Sequence, residues 1–90
     1  MAVIEIYTTP YCPYCQDAKT LFKKKDAAFS EIDVSRDRDL RIKMTARANG
    51  QTTVPQIFIG ATHVGGCDDL YALDDAGKLD ALLRSSANKD

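Results

Sequence analysis

Apolar residues recur along this chain with two different spacings, and the switches between them divide it into short segments. Val3, Ile4, Ile6 and Tyr7 crowd a β-branched and aromatic run that predicts a strand over 3–8. Pro10 breaks it. Cys12-Pro13 then reads as a helix start, because proline is tolerated where its missing N–H had no intrahelical partner. From Gln16 to Lys25 the spacing lengthens, and Ala18, Leu21 and Phe22 form one apolar stripe. Asp17 lies early and Lys23, Lys24 and Lys25 late, each on the side the helix dipole favours, so the lysine run reads as a solvated helix end. Residues 29–34 return to alternation and predict a second strand. In strand–helix–strand order it is expected to run parallel to the first.

Ser35 is a plausible cap for the next helix, whose first turn carries Asp37 and Asp39. Leu40, Met44 and Ala48 are its buried stripe, and Asn49-Gly50 accepts the left-handed geometry that ends it. Gln56 to Ile59 and Thr62 to Val64, joined by Gly60-Ala61, read as a hairpin. After Gly65-Gly66, Cys67-Asp68-Asp69 opens a last helical segment with Leu70 and Leu73 as its apolar positions. Gly77 interrupts it, Lys78 to Arg84 resumes it with Leu79, Leu82 and Leu83, and Ser85 to Asp90 reads as a polar tail. The order is β-α-β-α-β-β-α with the last helix divided. Short strands cannot hide both faces alone, so helices should cover them in a three-layer α/β/α arrangement. Ninety residues without repeat or linker imply a single domain over 1–90.

Composition narrows the partners. A formal charge of −1 offers no long-range field for nucleic acid or an anionic membrane, so neither is expected as a partner. No apolar run approaches the roughly 18 residues of a membrane span. The N-terminus lacks a basic leader followed by a hydrophobic segment, so a cytoplasmic setting is expected. Three cysteines are too few for a disulfide framework, and in that setting a cycling disulfide is more natural than a persistent one.

Candidate chemistry therefore centres on Cys12 and Cys15. Two cysteines separated by two residues, with a strand before and a helix after, read as a redox pair. Cys12 is the expected nucleophile, since a helix start carries unpaired amides and the positive end of the dipole, both favouring thiolate. The dipole contributes at most about 2 kcal/mol. Further stabilisation is expected from the Tyr14 and Cys15 amides or from the Cys15 thiol. Cys15, one turn deeper, is the expected resolving thiol. Zinc would have to recruit Cys67 and His63 as third and fourth ligands. His63 in a strand is more simply a surface residue, so no metal is expected. A purely structural pair sits poorly with Pro13 and the exposed-looking Tyr11 and Tyr14. Hydrolysis by an activated cysteine lacks partners of the Cys-His-Asn kind.

Three stretches together carry a resemblance: Cys12-Pro13-Tyr14-Cys15, Thr53-Val54-Pro55 and Gly65-Gly66-Cys67-Asp68-Asp69. In this order and spacing the chain resembles the dithiol glutaredoxins of the thioredoxin superfamily, especially the small bacterial ones, over nearly all of 3–84. The resemblance implies a thioredoxin fold with a four-stranded mixed sheet and a cis Val54–Pro55 bond beside Cys12. It implies a glutathione groove formed by Cys12, Tyr14, Thr53, Val54, Pro55, Gly66, Cys67 and Asp68. Glutathione would be the reducing co-substrate, with no tightly bound cofactor, acting on disulfide-containing or glutathionylated proteins as a monomer. The residues agree independently. Pro55 removes an N–H and leaves Val54 backbone groups to pair with a peptide-like substrate. Gly65-Gly66 permits close backbone approach, a helix opening at Cys67 can take a carboxylate, and Asp68 can pair with an α-ammonium. Cys67 is expected to remain a thiol. One departure is visible: Thr9 stands where many members carry a lysine for the glycyl carboxylate, leaving Arg41 or Lys43 to supply that charge. Two other functions fit the resemblance, reduction by a thioredoxin reductase and carriage of a glutathione-ligated [2Fe–2S] cluster.

Overall fold

The structure is a computed structural model, and it describes residues 3–87. Strand β1 (Ile4–Thr8) leads into helix α1 (Pro13–Lys24), which is followed by β2 (Ser30–Asp33) and α2 (Arg38–Arg47). The hairpin β3 (Gln56–Ile59) and β4 (Thr62–Gly65) precedes α3 (Cys67–Asp75) and α4 (Leu79–Ala87). The four strands form one mixed sheet in the order β2-β1-β3-β4. β1 pairs parallel with β2 and antiparallel with β3, and β3 pairs antiparallel with β4.

The strand alternation explains why helices cover both faces. Ile4, Ile6, Ile57 and Ile59 join one core with Ala18, Leu21 and Phe22 of α1, Leu70 of α3 and Leu79 of α4. Tyr7 and Phe58 join a second, smaller core with Val34, Met44 and Ala48 under α2. Residues one apart on a strand point to opposite faces, so the sheet is buried on both sides. The result is the three-layer α/β/α arrangement that the pattern implied and the four-stranded mixed sheet that the resemblance implied.

Local expectations hold with instructive exceptions. Asn49 and Gly50 end α2 with φ of 57° and 89°, the left-handed geometry expected there. Its start differs. Asp37 caps α2 by accepting a hydrogen bond from Leu40 N at 3.1 Å, whereas Ser35 N donates to Asp33 Oδ1 at 2.8 Å in a preceding turn. Ser35 is held in that turn because Val34 N still pairs with Thr8 O at 2.9 Å, so the chain leaves the sheet too late for it to cap. The end of α1 is also less solvated than its lysines suggested. Lys25 Nζ lies 2.7 Å from Asp74 and 3.1 Å from Asp80, tying α1 to α3 and α4. Gly77, with φ of 73°, divides the last two helices. Helix α4 continues to Ala87, three residues into the stretch read as a tail, and 88–90 lie outside the described residues.

Candidate active site

The end of β1, the start of α1, the loop before β3 and the start of α3 meet at one end of the sheet. Cys12 is the N-cap of α1, extended at φ −107° and ψ 108°, with Pro13 taking the first helical position. Its Sγ accepts a hydrogen bond from Cys15 N at 3.2 Å, and its thiol reaches Val54 O at 3.7 Å. One orphan amide of the helix start is therefore spent on this sulfur. The two thiols are unequal. Cys12 is half-buried, while Cys15 is fully buried. Burial, and then the hydrogen bond to Cys12, push the Cys15 thiol up to about 12. Around them Tyr11 is 94% exposed and Tyr14 61% exposed, an unusual cost for a small domain that needs its aromatics inside.

Opposite Cys12, the Val54–Pro55 peptide is cis, as the resemblance implied. Arg41 Nη2 donates to Thr52 O at 2.6 Å, which fastens this loop to α2. Of the two candidate cations, Arg41 thus comes to the loop, while Lys43 is exposed on α2. On the far side Gly66 caps α3, and Gly66 N donates to Asp69 Oδ2 at 3.0 Å. Gly65 has φ of 112°, and a Cβ there would clash with the Asp69 carboxylate, so glycine is required. At Gly66 a Cβ would stand 3.6 Å from Pro55 O, an ordinary contact, so close approach does not demand the second glycine.

Between these elements runs an open groove of ≈ 210 Å³ lined by Tyr14, Gln51, Thr53, Val54, Pro55, Gly66, Cys67, Asp68 and Asp69. Tyr14, Thr53, Val54, Pro55, Gly66, Cys67 and Asp68, all expected groove positions, line it, whereas Cys12 does not and reaches it only through the Val54 carbonyl. Gln51 and Asp69 were not foreseen as lining residues. The signal for Asp69 was available, as an acid three positions into a helix that begins at glycine; Gln51 had only its nearness to Thr53. Cys67 is 7% exposed, and burial, followed by the charges of Asp17, Asp68 and Cys12, raises its thiol. His63 does not join this site as a ligand, nor is it a free surface residue. It is half-buried, stacked on Phe58 at 4.8 Å, with Nε2 2.7 Å from Gln56 Oε1. Among the described residues no group of three or more His, Cys, Asp or Glu is disposed to hold a metal ion, and no helix is long and apolar enough to cross a membrane.

The arrangement matches known proteins along most of its length. The glutaredoxin family model matches residues 4–64. Glutaredoxin 3 of Escherichia coli is 54% identical over 84 residues, which is 93% of this chain and 100% of that protein. The solution structure of a glutaredoxin from Brucella melitensis superposes with a TM-score of 0.81 at 59% identity, covering 92% of this chain and 89% of that one. The crystal structure of a buckwheat glutaredoxin–glutathione complex superposes with a TM-score of 0.85 at 32% identity, covering 96% and 80%.

Proposed function

Because the chain belongs to the glutaredoxin family, has the thioredoxin fold and is a thiol–disulfide oxidoreductase, we propose that it reduces protein disulfides and glutathione mixed disulfides with glutathione as the electron donor. The observation that carries this reading is the approach of Cys12 Sγ to Val54 O at 3.7 Å while the same sulfur accepts the Cys15 amide. That pairing puts a hydrogen-bonded nucleophile against the wall of the open groove. The glutathione complex of a relative 32% identical supports glutathione as the occupant.

The steps are exchanges of sulfur partners. The Cys12 thiolate attacks one sulfur of the substrate disulfide; the S–S bond breaks and the other substrate sulfur leaves as thiolate. Cys15 then loses its proton and attacks the Cys12 sulfur, which forms the Cys12–Cys15 disulfide and releases the second substrate thiol. One glutathione opens that disulfide by joining Cys12. A second attacks the bound glutathione sulfur, leaves as glutathione disulfide and returns both thiols. With a glutathionylated protein, Cys12 takes the glutathionyl group directly and the last step suffices.

In this reading the cysteinyl unit lies along Thr53, Val54 and Pro55, with Tyr14 on its flank. The γ-glutamyl carboxylate meets the start of α3 at Cys67 and Asp68, where the helix opening and its dipole favour an anion. Asp68 takes the α-ammonium, and Arg41, already at Thr52 O, supplies the charge for the glycyl carboxylate. We place the protein in the cytoplasm as a monomer, since a cycling dithiol needs a reducing compartment.

A steady-state assay with glutathione and its reductase tests the reading. Cys12→Ser is expected to lose both activities. Cys15→Ser is expected to lose most protein-disulfide reduction and to keep removal of glutathione from a glutathionylated peptide. Survival of both activities in Cys12→Ser contradicts the assignment. Turnover with thioredoxin reductase but not with glutathione selects the first alternative. A visible [2Fe–2S] spectrum after anaerobic reconstitution, without exchange activity, selects the second.

A further inference from the structure

Gln56 is a polar residue with 0% exposure at the first position of β3, where neighbouring Ile57, Phe58 and Ile59 are all buried. A buried amide is costly unless its donors and acceptor are met. Here they are met in one direction. Nε2 donates to Thr53 O at 3.1 Å and to Gln51 Oε1 at 3.1 Å, with Thr53 Oγ1 at 3.4 Å. Oε1 faces His63 Nε2 at 2.7 Å. The other ring nitrogen, Nδ1, faces Asn49 Nδ2 at 3.3 Å.

These donor directions close with the proton on His63 Nε2. That proton goes to Gln56 Oε1, so Nδ1 carries the lone pair that receives the Asn49 amide. Stacking on Phe58, with planes 25° apart, keeps the ring in place. His63 thereby decides which end of the Gln56 amide faces the groove loop. Turned the other way, Oε1 would face Thr53 O, acceptor against acceptor.

The consequence lies in the Thr53–Val54 peptide. A trans peptide unit is planar, with C=O and N–H pointing in opposite directions. Holding Thr53 O toward the interior aims the Val54 N–H away from it, on the groove wall opposite Cys12. We propose that Gln56, oriented by His63, is a positioning residue that sets the direction of the Val54 N–H and so the affinity of the groove for the cysteinyl unit of glutathione. The inference rests on the glutathione reading of the groove.

The test is a split between KM and kcat. His63→Phe keeps an aromatic ring on Phe58 and removes the donor; Gln56→Met keeps volume and removes both ends of the amide. Each is expected to raise the KM for glutathione, about tenfold for Gln56→Met, the factor one misplaced hydrogen bond is worth. In both, kcat is expected to stay within about twofold. His63→Gln, which restores a donor, is expected to bring KM back toward wild type. An unmoved KM in folded His63→Phe, or a loss confined to kcat or to thermal stability, overturns the inference alone. A wild type that glutathione does not reduce overturns the glutathione reading and this inference with it, whereas one that glutathione reduces without saturation overturns this inference alone. The wild-type protein offers a second readout that needs no variant. Imidazole ¹⁵N shifts are expected to report the Nε2–H tautomer, and the Nδ1–H tautomer contradicts the mechanism.

Discussion

Cys12 and Cys15 lie within one helical turn and yet meet opposite environments, and the chemistry follows from that difference. Cys12 has an amide donor and open solvent on one side; Cys15 has a buried site whose thiol is pushed up to about 12. In the proposed cycle the buried Cys15 thiol stays protonated until it resolves the mixed disulfide. Burial is the larger cause of that shift, and it persists when Cys12 is tied up in a mixed disulfide. Resolution by Cys15 is therefore expected to speed up with pH across the neutral range, by up to about tenfold per unit while thiolate remains the minor form. Rapid acid quenching of a Cys12 mixed disulfide, followed by mass spectrometry, measures it. A rate that is flat or falls with rising pH contradicts the burial argument. Both cysteines were legible in the sequence because spacing and a following helix carry the signal. His63 and Gln56 were not, since their partnership joins two strands and neither residue announces it locally.

Secondary-structure elements were legible where a periodic apolar pattern met a strong breaker. Pro13 at a helix start and Asn49-Gly50 at a helix end are of this kind. Choice between equivalent signals was not legible. Ser35 and Asp37 are both good caps two residues apart, and the sheet decides by holding Val34 on Thr8. Lys25 reads as solvent-facing because Asp74 and Asp80 lie far along the chain. Two substitutions test how elements hold the site. Gly65→Ala forces a Cβ into a left-handed backbone beside the Asp69 carboxylate that caps the Gly66 amide. It is expected to destabilise the fold by more than about 1 kcal/mol and to weaken glutathione binding as α3 shifts. Phe22→Ala, in the larger core, is expected to cost about 3–5 kcal/mol and to leave glutathione KM unchanged in the folded fraction. Denaturant melts beside steady-state KM separate the two; equal effects on KM would mean that the α3 turn has no special hold on the groove.

Across the whole molecule, the sheet lies between unequal cores and delivers its site to one end. Glu31 helps hold β2 and α1 to β1, accepting from Lys19 Nζ at 2.9 Å and Thr8 Oγ1 at 2.8 Å, so that the three elements share one carboxylate. Lys19, then Thr8, hold the Glu31 carboxyl below its ordinary range. A depressed folded value means stability that is present above the unfolded carboxylate value and is lost as pH falls through the folded one. Glu31→Gln is expected to flatten the acid limb of the stability curve below about pH 4.3, with less difference in high salt. An acid limb identical to wild type contradicts the role given to Glu31. Three short motifs mark the three walls of the proposed site, whereas choosing Arg41 over Lys43 needed the phase of α2. The most direct test of the account is to incubate Cys15→Ser protein with glutathione disulfide and map the adduct by mass spectrometry. The account predicts a single glutathionyl group on Cys12, removed again by free glutathione. An unmodified Cys12, or an adduct on Cys67 instead, would contradict it.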